Sequence, residues 1–211
     1  MREKMGQDLK RLCDLALELG VSNARAFDAK DVVVDERARM KCQVPLCDDY
    51  GVNLMCPPNV MPVADFVRIL SKYRSAILIQ VGCPMPEDML QLIESELGNV
   101  ANLYQNKTFI TSYNKSFTPV KKKIHEIVHS VESAAFSMGY TFATGFIAGS
   151  CRLCAECVVP GSNEPCRHPF RARPSIEAMG IDVATTAANA GLPFDIPPKE
   201  TTIWNGLILI E

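Results

Sequence analysis

A chain of 211 residues with a formal charge of -2 and 47% hydrophobic residues is long enough to bury a substantial core. That balance excludes a polycationic nucleic-acid sheath and an acidic disordered tail. No apolar run approaches the roughly 20 residues of a membrane helix, so neither nucleic acid nor membrane is expected as a partner.

The first residues, Met1 to Gly6, lead into a charged amphipathic stretch rather than a signal peptide, and a cytoplasmic location is expected. Reducing compartments keep thiols free, so the 9 cysteines point to metal, redox or sulfur chemistry rather than to a disulfide framework.

Leu9, Leu12, Cys13, Ala16 and Leu19 recur at helical spacing and predict a first helix over 7–19, ended by Gly20. Cys13 lies on its apolar face and reads as a buried, inert thiol. Val32–Val34 predicts a short strand. Arg37, Arg39 and Lys41 then approach Cys42, Cys47 and Cys56, the last followed by Pro57 and Pro58. After Pro62, residues Val63, Phe66, Ile69, Leu70 and Tyr73 mark a second helix. Ser75–Val81 is a buried-strand run, with Cys83 just beyond it.

Pro86 opens another helix through Met89, Leu90 and Ile93. Residues 99–114 read equally as a helix extension, a strand or a loop. Thr118-Pro119 predicts a helix start, with a capping hydroxyl and a first-turn proline, and that helix runs to Gly139. Tyr140–Ile147 reads as a strand delivering the chain to Cys151. Pro174-Ser175 begins a helical region reaching Ala190, and Trp204–Ile210 is a last strand. Together these predict a single α/β domain over 1–211, a small mixed β-sheet flanked by helices. Two cysteine-rich metal-binding loops, at about 37–60 and 149–175, would meet at one end.

The loops carry the chemistry. Thiolates crowded at short gaps repel one another unless a cation sits between them. Cys151, Cys154 and Cys157 have ferredoxin-type spacing, and Cys166 follows after a loop of Pro160, Gly161, Ser162, Asn163 and Pro165. The simplest assignment is one [4Fe–4S] cluster on these four. A four-thiolate zinc site is the alternative, but zinc ribbons use two separated knuckles of paired cysteines, and no second knuckle is present. Cys42, Cys47 and Cys56 form a three-thiolate set. It would leave one iron of a second cluster open as a Lewis acid, unless Cys83, Asp48 or Asp49 completes it. Cys83 also reads as a core residue at a strand end, and that reading is favoured. The trio is read as a metal site in preference to partial participation in the other cluster or simple burial.

Cys47 to Cys56 and Cys157 to Cys166 share the same spacing, each ending near a proline that stiffens its loop. Arg37, Arg39 and Lys41 beside one set, and Arg152, Arg167, Arg171 and Arg173 beside the other, would raise a cluster's reduction potential or receive an anion. About half of them read as solvated loop residues.

His125-Glu-Ile-Val-His129 matches the zinc-protease pattern H-E-x-x-H. The core stripe of its helix, however, is Ile124, Ile127, Val128, Val131, Ala135 and Met138. The two histidines flank that stripe beside Lys121, Lys122 and Lys123, as on a solvated helix shoulder. Arg173-Pro-Ser175-x-Glu177 combines a cation, a cap and a carboxylate at a helix start. It reads as plain N-capping ahead of an anion site or an oriented acid. No dinucleotide fingerprint, phosphate loop, nucleophile elbow or radical-SAM cysteine triplet is present.

Cys42, Cys47, Tyr50-Gly51 and Cys56-Pro57-Pro58 resemble the first motif of a family of predicted metal-binding proteins of bacteria and archaea. Gly149-Ser-Cys151-Arg-Leu-Cys154-Ala-Glu-Cys157, Pro165-Cys166-Arg-His-Pro169 and Arg173-Pro-Ser175-Ile-Glu177-Ala-Met-Gly180-Ile-Asp182 resemble its second. The resemblance spans most of the chain. It implies cysteine-ligated metal, iron–sulfur in character, and it names no substrate.

The expectation is therefore an iron–sulfur protein with one or two [4Fe–4S] clusters, or alternatively a structural zinc-binding interaction protein. An iron–sulfur protein would serve either electron transfer to a redox partner protein or reductive or sulfur-handling catalysis on a small-molecule substrate at the three-cysteine site.

Overall fold

The computed structural model describes residues 2–44, 46–96, 102, 106–196, 198 and 200–211. Its four strands are β1 (Asn23–Asp28), β2 (Ser75–Pro84), β3 (Thr144–Phe146) and β4 (Thr201–Ile210), ordered β1-β2-β4-β3. Every strand pairing among the described residues is antiparallel, which corrects the expected mixed sheet. The connection from β1 to β2 holds the whole first cysteine loop and two helices. A connection that long can bring the chain back from either end of the sheet, so an intervening helix does not dictate a parallel pair. The nearest thing to a parallel contact is an isolated bridge between Ile147 and Ser175.

Six α-helices are seen among the described residues: α1 (Arg2–Glu18), α2 (Glu36–Met40), α3 (Val63–Leu70), α4 (Glu87–Ser95), α5 (Lys107–Ser137) and α6 (Val183–Asn189). They flank both faces of the sheet, as expected. Alternation along β2 sends Ile77, Ile79 and Val81 toward α1 and α5, where Leu12, Ala16, Phe117, Ile124 and Val128 complete one core. Ala76 and Leu78 point the other way, to Phe66, Leu70, Met179 and Ala187 of α3, a short 3-10 turn (Glu177–Met179) and α6. Residues 75–81 are thus buried on both faces. No helix among the described residues is long and apolar enough to cross a membrane.

The departures from sequence expectation have local causes. Val32–Val34 is not a strand: Val32 caps a 3-10 turn, and only Val34 bridges, to Ile181. Thr118-Pro119 lies inside α5, whose start is Asn106, capping the amide of Phe109. Thr118 turns its hydroxyl to the carbonyl of Asn114 at 2.6 Å, a back-bond of the kind that bends a helix. Within 99–114, residues 107–114 belong to α5 and most of the rest lies outside the described residues. The Tyr140–Ile147 strand contracts to Thr144–Phe146. The 174–190 helix breaks at Gly180, whose φ of 80° lies in the left-handed region.

Two glycines let α5 sit close to the sheet. A Cβ on Gly145 of β3 or Gly206 of β4 would collide with the two methyl groups of Val128. Val128 is fully buried, so the helix cannot yield without opening the core. Gly206→Ala is predicted to cost about 1–3 kcal/mol by overpacking, read as a melting temperature lower by roughly 2–4 °C per kcal/mol. An unchanged melting temperature would remove Val128 from that notch.

Candidate metal centre

The first cysteine loop is a succession of tight turns. The amide of Cys47 reaches the carbonyl of Cys42 at 3.1 Å, Tyr50 that of Cys47 at 3.0 Å, and Cys56 that of Asn53 at 3.0 Å. Gly51, at φ 72°, supplies the left-handed residue that closes the turn against Pro57. Cys56 ends buried, Cys42 part-buried and Cys47 exposed. Burial pushes the Cys42 thiol up to about 11, with the neighbouring Cys47 and Glu177 adding to it. Burial also raises Cys56 strongly, followed by Asp49, Cys47 and Cys42, against a lowering by Arg152. The three thiols lie in one another's fields.

The second loop starts at Gly149 and folds back through Gly161 and Asn163, all three with positive φ. Cys151, Cys154, Cys157 and Cys166 line one cavity of about 480 Å³. Burial raises the Cys151 thiol, opposed by the amide of Leu153 and reinforced by Cys166, Cys154 and Cys157. Two amides donate to sulfur: Leu54 to Cys157 at 3.5 Å and His168 to Cys166 at 3.4 Å. Among the described residues, no three His, Cys, Asp or Glu side chains are drawn tightly enough together to hold a metal ion. All four thiols of the second loop line this one cavity.

The two loops are laced together. Asp49 takes hydrogen bonds on one carboxylate oxygen from Ser150 Oγ at 2.7 Å and from Arg152 at 2.8 Å. Buried Asn53 donates to the carbonyl of Cys151 at 3.0 Å and accepts from the amide of Met55 at 3.0 Å. With the Leu54 amide on Cys157, these contacts tie residues 49–54 to the second loop. Residues of both loops line the cysteine cavity.

A polar stripe on α5 supports the second loop from behind. His125 donates from Nε2 to the carbonyl of Arg171 at 2.7 Å, and Glu132 receives Arg173 Nε at 2.6 Å in a largely buried pair. Lys121 is buried as well, with Nζ 5.0 Å from the centre of the Trp204 ring. His125, only 2% exposed, therefore corrects the solvated-shoulder expectation. Burial, and then the cationic Arg173 and Arg171, depress its basicity against the opposing hydrogen bond to the Arg171 carbonyl. It serves as a strut.

Ser175 accepts from the amide of Ala178 at 2.9 Å, the capping role expected of it. Cys83 lies on β2 opposite Thr202 and packs against the core, and Cys13 is buried on α1. Asp48 is exposed, whereas Asp49 is committed to the loop clamp. The roles of Asn53 and Lys121 were not visible in the sequence. Neither residue has a motif, and Lys121 sits in a lysine run that reads as solvated.

An antiparallel sheet with helices on both faces, carrying two interlaced cysteine loops, defines the class: a small α/β protein with paired cysteine loops. Residues 25–210 match the family described as "Predicted metal-binding protein (DUF2284)", and the chain belongs to that family. No curated protein and no solved structure matches the chain.

Removing the Asp49 clamp tests the lacing. Asp49→Ala is predicted to cost about 1.5–3 kcal/mol, the usual worth of hydrogen bonds to a charged group. It would also speed amide exchange in both 47–56 and 149–157. Faster exchange in only one loop would show that they are not mutually held.

Proposed function

We propose that this protein is an iron–sulfur protein with a redox function. Cys151, Cys154, Cys157 and Cys166 would hold a [4Fe–4S] cluster. Cys42, Cys47 and Cys56 would hold a second that is one protein ligand short. The observation that carries the reading is the cysteine cavity: four thiols around about 480 Å³, with amide donors on two of the sulfurs. A single zinc ion needs four sulfurs within about 2.3 Å of one point. A cubane instead places its ligands at the corners of a larger body, and a cavity lined by all four thiols has room for one. Amide-to-sulfur bonds are among the features that tune a cluster's potential.

Mutual repulsion supports the same reading. Each set contains thiols whose ionisation is opposed by its neighbours, a cost that binding a cationic cofactor removes. Bound there, a [4Fe–4S] cluster would supply one-electron redox chemistry, and an iron without a protein ligand would supply a Lewis acid. The chain's own groups would do the rest. Arg152 and Arg167 bring positive charge beside the second loop, Arg152 fixed by Asp49 and Arg167 by the Glu156 carbonyl at 2.8 Å. The protein would work in the cytoplasm, exchanging electrons with a redox partner protein or a small-molecule substrate.

Anaerobic purification followed by iron, zinc and acid-labile sulfide analysis tests this. About eight iron atoms per chain are predicted with both clusters filled, with an EPR signal on reduction. Cys166→Ala is predicted to remove the second-loop signal, and Cys42→Ala to lower iron by about four atoms per chain. Zinc without sulfide would overturn the iron–sulfur reading. Iron unchanged in Cys42→Ala would overturn the second cluster alone.

A further inference from the structure

The amide of Leu54 donates to Cys157 Sγ at 3.5 Å. Leu54 belongs to the first cysteine loop and Cys157 to the second, so a thiol of one set takes its donor from the loop that carries the other. The bond to Cys166 is different, because His168 reaches that sulfur from two residues along the same loop. A donor within a loop travels with its sulfur. One that arrives from 103 residues away has to be held in place.

Asn53 does the holding. Its side chain is 4% exposed and spans the seam between the loops. Nδ2 donates to the carbonyl of Cys151 at 3.0 Å, and Oδ1 accepts the amide of Met55 at 3.0 Å. A carbonyl needs a donor and an amide needs an acceptor, so only one orientation of the carboxamide serves both. The Asn53 backbone is pinned as well. Its amide donates to the Asp49 carbonyl at 3.1 Å, and its carbonyl receives the Cys56 amide at 3.0 Å and Asn59 Nδ2 at 3.1 Å. Leu54 lies between Asn53 and Met55, two residues fixed by the same carboxamide. Asn53 and Leu54 also line the cysteine cavity, against the space a cluster would occupy.

We propose that Asn53 is a positioning residue that sets the reduction potential of the second-loop cluster, by keeping the first-loop amide of Leu54 on Cys157 Sγ. This role rests on the iron–sulfur reading. Reduction adds negative charge to a cluster and its sulfurs. An N–H aimed at a ligand sulfur therefore stabilises the reduced form more than the oxidised one, and raises the potential. Because the donor comes from the other loop, the potential of one cluster depends on the loop that carries the second set of thiols. Serine at position 53 separates the parts of this role. Its hydroxyl can accept the Met55 amide in the weaker turn that serine makes. It is too short to reach the Cys151 carbonyl, and it brings no charge.

The test is a reductive titration of the anaerobically isolated full chain, followed by EPR, on the wild type and on Asn53→Ser. Iron and acid-labile sulfide are measured on the same samples. The second-loop signal is the one that Cys166→Ala lacks. A lower midpoint potential for that signal is expected in Asn53→Ser, at unchanged iron and sulfide. Amide hydrogen exchange at Leu54 is expected to be at least about fivefold faster, as loss of one hydrogen bond gives. An unchanged or higher potential with the cluster in place would overturn the tuning role. Loss of the cluster from Asn53→Ser would make Asn53 a structural residue and overturn it as well. Unchanged exchange at Leu54 would remove Asn53 as its anchor. The iron–sulfur reading fails separately, by zinc without sulfide in the wild type, and exchange at Leu54 in that zinc protein still tests the anchor.

Discussion

One carboxylate holds the functional end of this protein together. Asp49 sits on the first cysteine loop and grips Ser150 and Arg152 on the second, on either side of Cys151. That grip joins two loops that come from distant parts of the chain. The contacts of Asn53 with Cys151 and of Leu54 with Cys157 extend the same seam. The seam creates a shared cavity in which the four thiols of one loop are walled partly by residues of the other. A buried polar seam of this kind is costly unless every member is satisfied. Here the Asp49 carboxylate oxygen, the Asn53 side chain and the Leu54 and Met55 amides have partners.

The long helix α5 gives the seam a foundation. Its apolar stripe fills the core, with Val128 seated against Gly145 and Gly206. Beside that stripe, Lys121, His125 and Glu132 follow helical spacing; His125 and Glu132 meet the second loop, and Lys121 meets Trp204 of β4. Through His125 to the Arg171 carbonyl and Glu132 to Arg173, the packing of the helix on the sheet fixes where the chain leaves Cys166. A residue such as His125 thus affects the site without touching sulfur. The same helix face presents Lys121 to Trp204 of β4.

Much of this was legible from the sequence, and the parts that were not have physical reasons. Strong apolar runs announce β2 and β4, and cysteine spacing announces both loops, because those signals are local. The helices α3 and α4 follow their prolines for the same reason. The sheet's direction was not legible, since long connections leave both senses open. β1 was missed because Asn23–Asp28 is only partly buried and carries no clean alternation. Thr118-Pro119 misled because a start signal and a tolerated interior proline look alike until the upstream cap at Asn106 is known. His125 of H-E-x-x-H read as exposed because the residue that meets it, Arg171, comes from far along the chain. Asp49 was noticed as a possible ligand and turns out to be a clamp, a distinction that needs the position of Arg152. Membership in a predicted metal-binding family agrees with the expectation of metal binding.

The decisive question is whether these loops enclose a polynuclear iron–sulfur centre, as proposed, or a single metal ion. X-ray absorption at the iron and zinc edges of the anaerobically isolated protein separates the two. Iron with both sulfur and iron neighbours, the signature of a cluster, is predicted. Zinc surrounded by sulfur alone, with no iron in the sample, would contradict the proposal.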